Sequence, residues 1–165
     1  MAAPRIRVLL VDDSALCRTV LRHALESDPE IEVVGEAEDG VQALRKVELL
    51  RPSLVCLDIQ MPRMGGLETI ERIMGSRPTP ILVVTERPRV EGVDLTFASL
   101  SRGALDLVQK PASSLGGEEM NALVARVKVL ARSGAAPSAG APGAAGAVRL
   151  PSGPRPQVVD GGAAT

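Results

Sequence analysis

Tryptophan and tyrosine are missing from the 165 residues, and Phe97 is the only aromatic. Any core must therefore be aliphatic. An excess of positive charge is missing too: 19 Lys and Arg nearly balance 20 Asp and Glu, which leaves no electrostatic footprint for nucleic acid. Apolar runs approaching the roughly 20 residues of a membrane span do not occur. The N-terminal MAAPRIR has no signal-peptide core, so a cytoplasmic protein is expected. Cysteine is scarce. Cys17 and Cys56 sit in apolar-periodic segments without metal-ligand spacing, and both read as reduced core residues.

What is present is a repeating alternation. Short apolar runs at 6–11, 31–34, 54–57, 81–84 and 105–109 have the near-continuous apolarity of parallel strands covered on both faces. Between them apolar residues recur at spacings of three and four. Leu16, Val20, Leu21, Ala24 and Leu25 line a first helix with Ser14 as its N-cap, and Val41, Leu44 and Val47 line a second that stops at Arg51-Pro52. Leu67, Ile70, Ile73 and Met74 follow the Gly65-Gly66 turn. Val93, Phe97 and Leu100 suggest a weaker fourth helix, and the run from Met120 to Ala131 a strong fifth. This order predicts an α/β fold: (βα)5, with right-handed crossovers and a doubly wound five-stranded parallel sheet. The period ends near Ser133. Residues 1–133 read as one folded domain, and the Ala-, Gly- and Pro-rich residues 134–165 as a flexible linker or tail.

In such a sheet, ligands bind beyond the carboxyl ends of the strands, where strand order reverses. The first strand ends in Asp12-Asp13, the third in Asp58 and the fourth in Thr85, and the fifth runs into Lys110-Pro111. Three acids, one hydroxyl and one base thus gather at one rim. Convergent carboxylates repel one another and attract a hard divalent cation, with Mg²⁺ the natural choice because it takes oxygen ligands and leaves room for a phosphate oxygen. Lys110 adds a compact positive charge for a second phosphate oxygen, and Thr85 offers a hydroxyl to a third. A carboxylate at the centre of that site can attack a phosphoryl donor and form an aspartyl phosphate.

The ordered set V-D-D-S, L-D-I-Q-M-P-R-M-G-G, V-V-T and Q-K-P resembles the receiver domain of two-component response regulators, over residues 5 to 132. The resemblance implies a flavodoxin-like receiver fold, with Asp58 as the phosphoacceptor. Asp12, Asp13 and Asp58 would bind Mg²⁺ together with the backbone carbonyl of Gln60, Thr85 would be the switch hydroxyl, and Lys110 the base that contacts phosphate. It further implies a histidine kinase as phosphodonor, and an output domain or a chemoreceptor as the other partner. No stand-alone enzyme is expected, only self-phosphorylation and self-dephosphorylation, in a monomer or weak dimer. SDPEIEVVGEAEDG, MPRMGGLETIERIM and RPTPILVV are similar to the receiver of chemotaxis protein-glutamate methylesterases, in which a linker leads to an esterase domain. These 165 residues contain the linker and no esterase, and the final VVDGGAAT resembles the start of that domain with Ala164 where the family places its serine.

Two departures stand out against this family. Leu107 occupies a position usually held by Tyr or Phe, so ring rotation is excluded there, and Gly65 replaces a common polar residue. Two rival readings share the motif. One is a phosphohydrolase with an aspartyl nucleophile, although such enzymes place D-x-D after the first strand where this chain has adjacent acids. The other is a pseudo-receiver that binds without accepting phosphate. Elsewhere His23 reads as a surface residue, and Phe97, Met61 and Met64 as packing. Arg87, Arg89 and Arg102 read as a solvated face, with a docking surface as the alternative.

Overall fold

The computed structural model describes residues 4–110 and 117–133. In chain order the elements are β1 (Ile6–Val11), α1 (Ala15–Glu26), β2 (Ile31–Ala37), α2 (Gly40–Leu50), β3 (Leu54–Leu57) and α3 (Gly66–Ser76). They continue with β4 (Ile81–Thr85), β5 (Arg89–Val90), β6 (Val93–Asp94), α4 (Leu95–Arg102), β7 (Asp106–Gln109) and α5 (Glu118–Arg132). Five strands form one parallel sheet in the order β2-β1-β3-β4-β7, while β5 and β6 make a separate two-stranded antiparallel pair. The doubly wound (βα)5 expectation holds. The tail assigned to 134–165 and the residue Pro111 lie outside the described residues.

Successive side chains point to opposite faces and both faces are covered, which explains why β3 is apolar throughout and why β1 and β4 are apolar apart from Arg7 and Thr85. Val8 and Leu10 of β1 face α1 and α5, where they meet Leu25, Cys56, Leu123 and Val127. Leu9 and Val11 face the other way and meet Val47, Leu57, Ile70 and Ile73 from α2, β3 and α3. Each central strand is therefore buried twice. Both cores are aliphatic, as the missing aromatics require.

The second strand runs three residues past its expected end. Gly35, Glu36 and Ala37 pair with Leu9, Leu10 and Val11 after a register shift between Val8 and Leu9. A Cβ at Gly35 would fall 2.7 Å from Leu50 Cδ1, so the glycine lets α2 approach the edge strand. Glu36 conceals the strand in sequence because it is polar, but its carboxylate is taken up by Arg18 and Arg22 at 3.1 and 2.7 Å.

The fourth helix corrects its expectation. Val93 belongs to β6, and Phe97 and Leu100 lie on the outer face of α4, with Phe97 76% exposed. Leu95 and Ser99 turn inward instead. The helix is only eight residues long, with Asp94 as N-cap and Gly103 ending it at φ 119°, and a face read from three apolar residues chose the wrong side. Phe97 is thus not core packing. Leu16 and Val41 are likewise exposed, and Cys17 is half-buried rather than core. Cys56 is fully interior, and burial pushes its thiol up to about 12. Met61 does pack against the core, Met64 is half-buried, and His23 is exposed as expected.

At the far end of the sheet, α5 is tied to the entry of β2. Lys128 Nζ lies 2.9 Å from Asp28 and 2.7 Å from Glu30, and Arg132 also reaches Glu30. The amide of Glu30 and the Lys128 ammonium hold the Asp28 carboxyl below its ordinary value, and Lys128 does the same to Glu30. Groups with depressed folded values contribute stability above their unfolded range and lose it as pH falls through the folded values. Lys128→Met is therefore expected to lower the melting temperature at neutral pH. Melts across an acid series check this: the gap to wild type closes once both carboxylates are protonated.

Candidate functional site

The carboxyl ends of the strands set out the site through their ladders. The Asp12 amide donates to the Ala37 carbonyl at 3.0 Å, the Asp58 amide to Val11 at 2.9 Å, and the Lys110 amide to Thr85 at 2.8 Å. Each residue thus extends the pairing by one step beyond its strand. Because β1 has β2 on one side and β3 on the other, Asp12 and Asp58 stand where the chain changes direction across the sheet.

Three carboxylates converge there: oxygens of Asp12, Asp13 and Asp58 lie within 4.8 Å of one another. Asp12 is 1% and Asp58 7% exposed, whereas Asp13 faces solvent. Lys110 reaches in from the end of β7, its Nζ 2.6 Å from Asp12 Oδ2 and 3.1 Å from Asp58 Oδ2. Burial raises the Asp58 carboxyl, with the neighbouring Asp12 adding to the rise and Lys110 opposing it. Burial by itself would lower the Lys110 ammonium, but its bonds to Asp12 and Asp58 overcome that and raise it. Lys110 therefore stays charged.

One ammonium against three carboxylates leaves two negative charges in the crevice. A divalent cation matches that surplus. Asp12 Oδ1 accepts the Ser14 amide at 2.9 Å, and its buried Oδ2 is paired with the Lys110 ammonium at 2.6 Å. The three carboxylates supply hard oxygen donors, the donor set that Mg²⁺ takes. The residues present fit the ion. Asp58 Oδ1 accepts the Gln60 amide at 3.3 Å, which holds the Gln60 backbone beside Asp58.

Thr85 is fully buried at the end of β4, yet its hydroxyl points to the Arg87 carbonyl at 3.5 Å rather than to Asp58. Leu107 pairs with Val83 and packs half-buried against the core under α4. Sequence reasoning missed three supporting residues. Arg18 donates to the Asp12 carbonyl at 2.6 Å while binding Glu36. Arg63 binds Asp39, the N-cap of α2. An acid before Gly40 and an apolar-periodic run is a capping signal, so Asp39 was findable; the arginines pair with residues 18 and 24 positions away and leave no local signature.

Fold and site together define a flavodoxin-like receiver: a parallel sheet in the order β2-β1-β3-β4-β7 with acids and a lysine at its switch point. The profile of the response regulator receiver domain matches residues 8–123, and the chain belongs to that family. It is 48% identical over 134 residues to a protein-glutamate methylesterase/protein-glutamine glutaminase of Symbiobacterium thermophilum, covering 81% of this chain and 36% of that protein. The first such protein of Caulobacter vibrioides is 44% identical over 138 residues, with 83% and 40% covered. The chain thus spans well under half the length of these relatives. Among solved structures, the response regulator domain of Thermotoga maritima CheB is 35% identical, with a TM-score of 0.69 over 78% of this chain and 97% of that one.

No helix among the described residues is long and apolar enough to cross a membrane.

Proposed function

We infer that this chain is the phosphoacceptor module of a chemotaxis two-component system, with Asp58 as the nucleophile. The observation that carries the reading is the position of Asp58, buried between Lys110 and the two other acids at the switch point. An Asp58 oxygen forms a bond to phosphorus as the phosphorus–nitrogen bond of a kinase phosphohistidine breaks. The leaving electron pair stays on the imidazole nitrogen. Asp12, Asp13, Asp58 and the Gln60 carbonyl would hold Mg²⁺, which when bound neutralises charge on the phosphoryl oxygens. Lys110 keeps its charge in the crevice and is placed to pair with another of those oxygens.

Thr85 carries the response. Its hydroxyl has only a long bond to surrender before turning toward a phosphoryl oxygen, and the loop after β4 holds Arg87 and Arg89 exposed at its surface. With Leu107 in place of a ring, the signal stays short-range, through this loop and aliphatic repacking. The output is an attached methylesterase domain or a chemoreceptor-bound partner, and the module acts in the cytoplasm as a monomer or weak dimer.

Acetyl phosphate with Mg²⁺ tests this by intact mass. One phosphoryl group is expected on wild type and none on Asp58→Asn. An unlabelled wild-type protein would favour a pseudo-receiver, and continuous hydrolysis of small phosphate esters a phosphohydrolase.

A further inference from the structure

The loop from Asp58 to α3 is fastened at two points. At its base, the Gly66 amide donates to Ile59 at 2.9 Å, and a Cβ on Gly66 would fall 2.5 Å from the Asp58 carbonyl oxygen. That close approach explains the glycine. Nearer its apex, Arg63 has left-handed backbone at φ 65°, a conformation that costs energy in a residue with a Cβ. Such strain persists only where surrounding contacts impose it.

The imposing contact is Asp39. Arg63 Nε donates to Asp39 Oδ2 at 2.7 Å, and Nη2 meets the same oxygen at 2.7 Å. Asp39 is itself fixed by burial and capping: its side chain is 4% exposed, and Oδ1 accepts the Gln42 amide at 2.9 Å as the cap of α2. The Gln42 amide foremost, and then Arg63, hold its carboxyl below the ordinary range. Beside it, a Cβ on Gly40 would fall 2.7 Å from Met64 Cγ, so the start of α2 lies directly against the same loop. Arg63 itself is 60% exposed and turned toward Asp39, an acid that is not part of the cluster of Asp12, Asp13 and Asp58.

The geometry points to Arg63 as a positioning residue for the divalent cation: its ion pair with Asp39 anchors the loop to α2, so that Asp58 and the Gln60 backbone are presented together to the crevice. This rests on the reading of Asp58 as a Mg²⁺-dependent phosphoacceptor. A ligand carbonyl on a loop binds only as well as the loop is fixed, and removing such supporting contacts typically weakens metal affinity about 10- to 100-fold. The pair also makes α2 part of the site, since Asp39 cannot shift without loosening either its helix cap or the loop.

The test compares the 165-residue chain with its Arg63→Gln, Asp39→Asn, double and Arg63→Lys variants. Asparagine keeps the helix cap while weakening the ion pair. Mg²⁺ affinity is read by isothermal titration calorimetry, and the Mg²⁺ dependence of acetyl phosphate labelling by intact mass. Each single variant is expected to raise the Mg²⁺ dissociation constant about tenfold, with labelling at saturating Mg²⁺ changed less than about twofold. The double variant should be no weaker than either single one, and Arg63→Lys should recover part of the loss. If Arg63→Gln folds poorly, Arg63→Gly relieves the left-handed backbone, breaks the same pair and should show the same weakening. An unchanged dissociation constant, additive losses in the double variant, or a slower saturated rate at unchanged affinity would each overturn the inference. A wild-type protein that takes no Mg²⁺-dependent label overturns the underlying reading instead, which keeps the two failures apart.

Discussion

Lys110→Met is expected to lower the melting temperature of the metal-free protein by about 10 °C while enlarging its stabilisation by Mg²⁺. In wild type the ammonium is the cation between Asp12 and Asp58, both almost fully buried. Removing one partner of a buried ion pair leaves charge without compensation, at a cost of roughly 3 kcal/mol. For a domain of this size that is about 10 °C. Part of the loss is recovered as pH falls, because burial already raises the Asp58 carboxyl and the acid that protonates first relieves the repulsion. Added Mg²⁺ relieves it at neutral pH, so the shift on adding metal should exceed that of wild type. Labelling should nevertheless slow by about 100-fold, since the cation cannot also supply the second charge on the transferred group. A melting temperature within a degree or two of wild type would show that Lys110 does not neutralise the crevice.

Asp13→Ala should behave in the opposite way. Asp13 is exposed, and its neighbours Asp12 and Asp58 carry like charge, so removing it leaves the metal-free protein as stable as before or slightly more so. What is lost under the proposed reading is a metal ligand, and Mg²⁺ affinity should fall about 100-fold or more. Melts of both proteins with and without Mg²⁺ separate the two effects, because a ligand stabilises only as far as it binds. Equal Mg²⁺-induced shifts in wild type and Asp13→Ala would refute the ligand assignment.

These two substitutions draw on parts of the molecule that differed in how far sequence revealed them. Asp12, Asp58 and Lys110 were legible because a doubly wound sheet brings every strand end to one rim, whatever the separation along the chain; Lys110 and Asp58 are 52 residues apart yet share a hydrogen bond. Which face of α4 is buried was not legible. Phe97 is the most hydrophobic candidate by type, but a short helix following the β5–β6 pair is oriented by its ends, Asp94 and Gly103, rather than by its apolar content. The end of β2 was hidden for a related reason, since Glu36 is polar in composition and paired in fact with Arg18 and Arg22. The supports beneath the site were the hardest to see. Arg63 and Asp39 are ordinary loop residues until the fold sets α2 against the loop after β3, and no periodicity encodes a contact that only tertiary packing creates.

Phe97, with Leu100 beside it on α4, remains uncovered among the described residues, as do Arg87 and Arg89. The loop that follows Thr85, with its Arg87 and Arg89, and the apolar outer face of α4 are therefore both open to solvent among the described residues.

The central claim is that one carboxylate, Asp58, becomes covalently bonded to phosphorus. Borohydride reduction after acetyl phosphate and Mg²⁺ treatment cleaves an acyl phosphate and converts the aspartate that carried it to homoserine, so peptide sequencing by mass spectrometry reads the position directly. The account predicts homoserine at position 58 alone, dependent on Mg²⁺ and on the donor. Homoserine at position 12 or 13, or an unmodified peptide from a protein that has bound Mg²⁺, would contradict it.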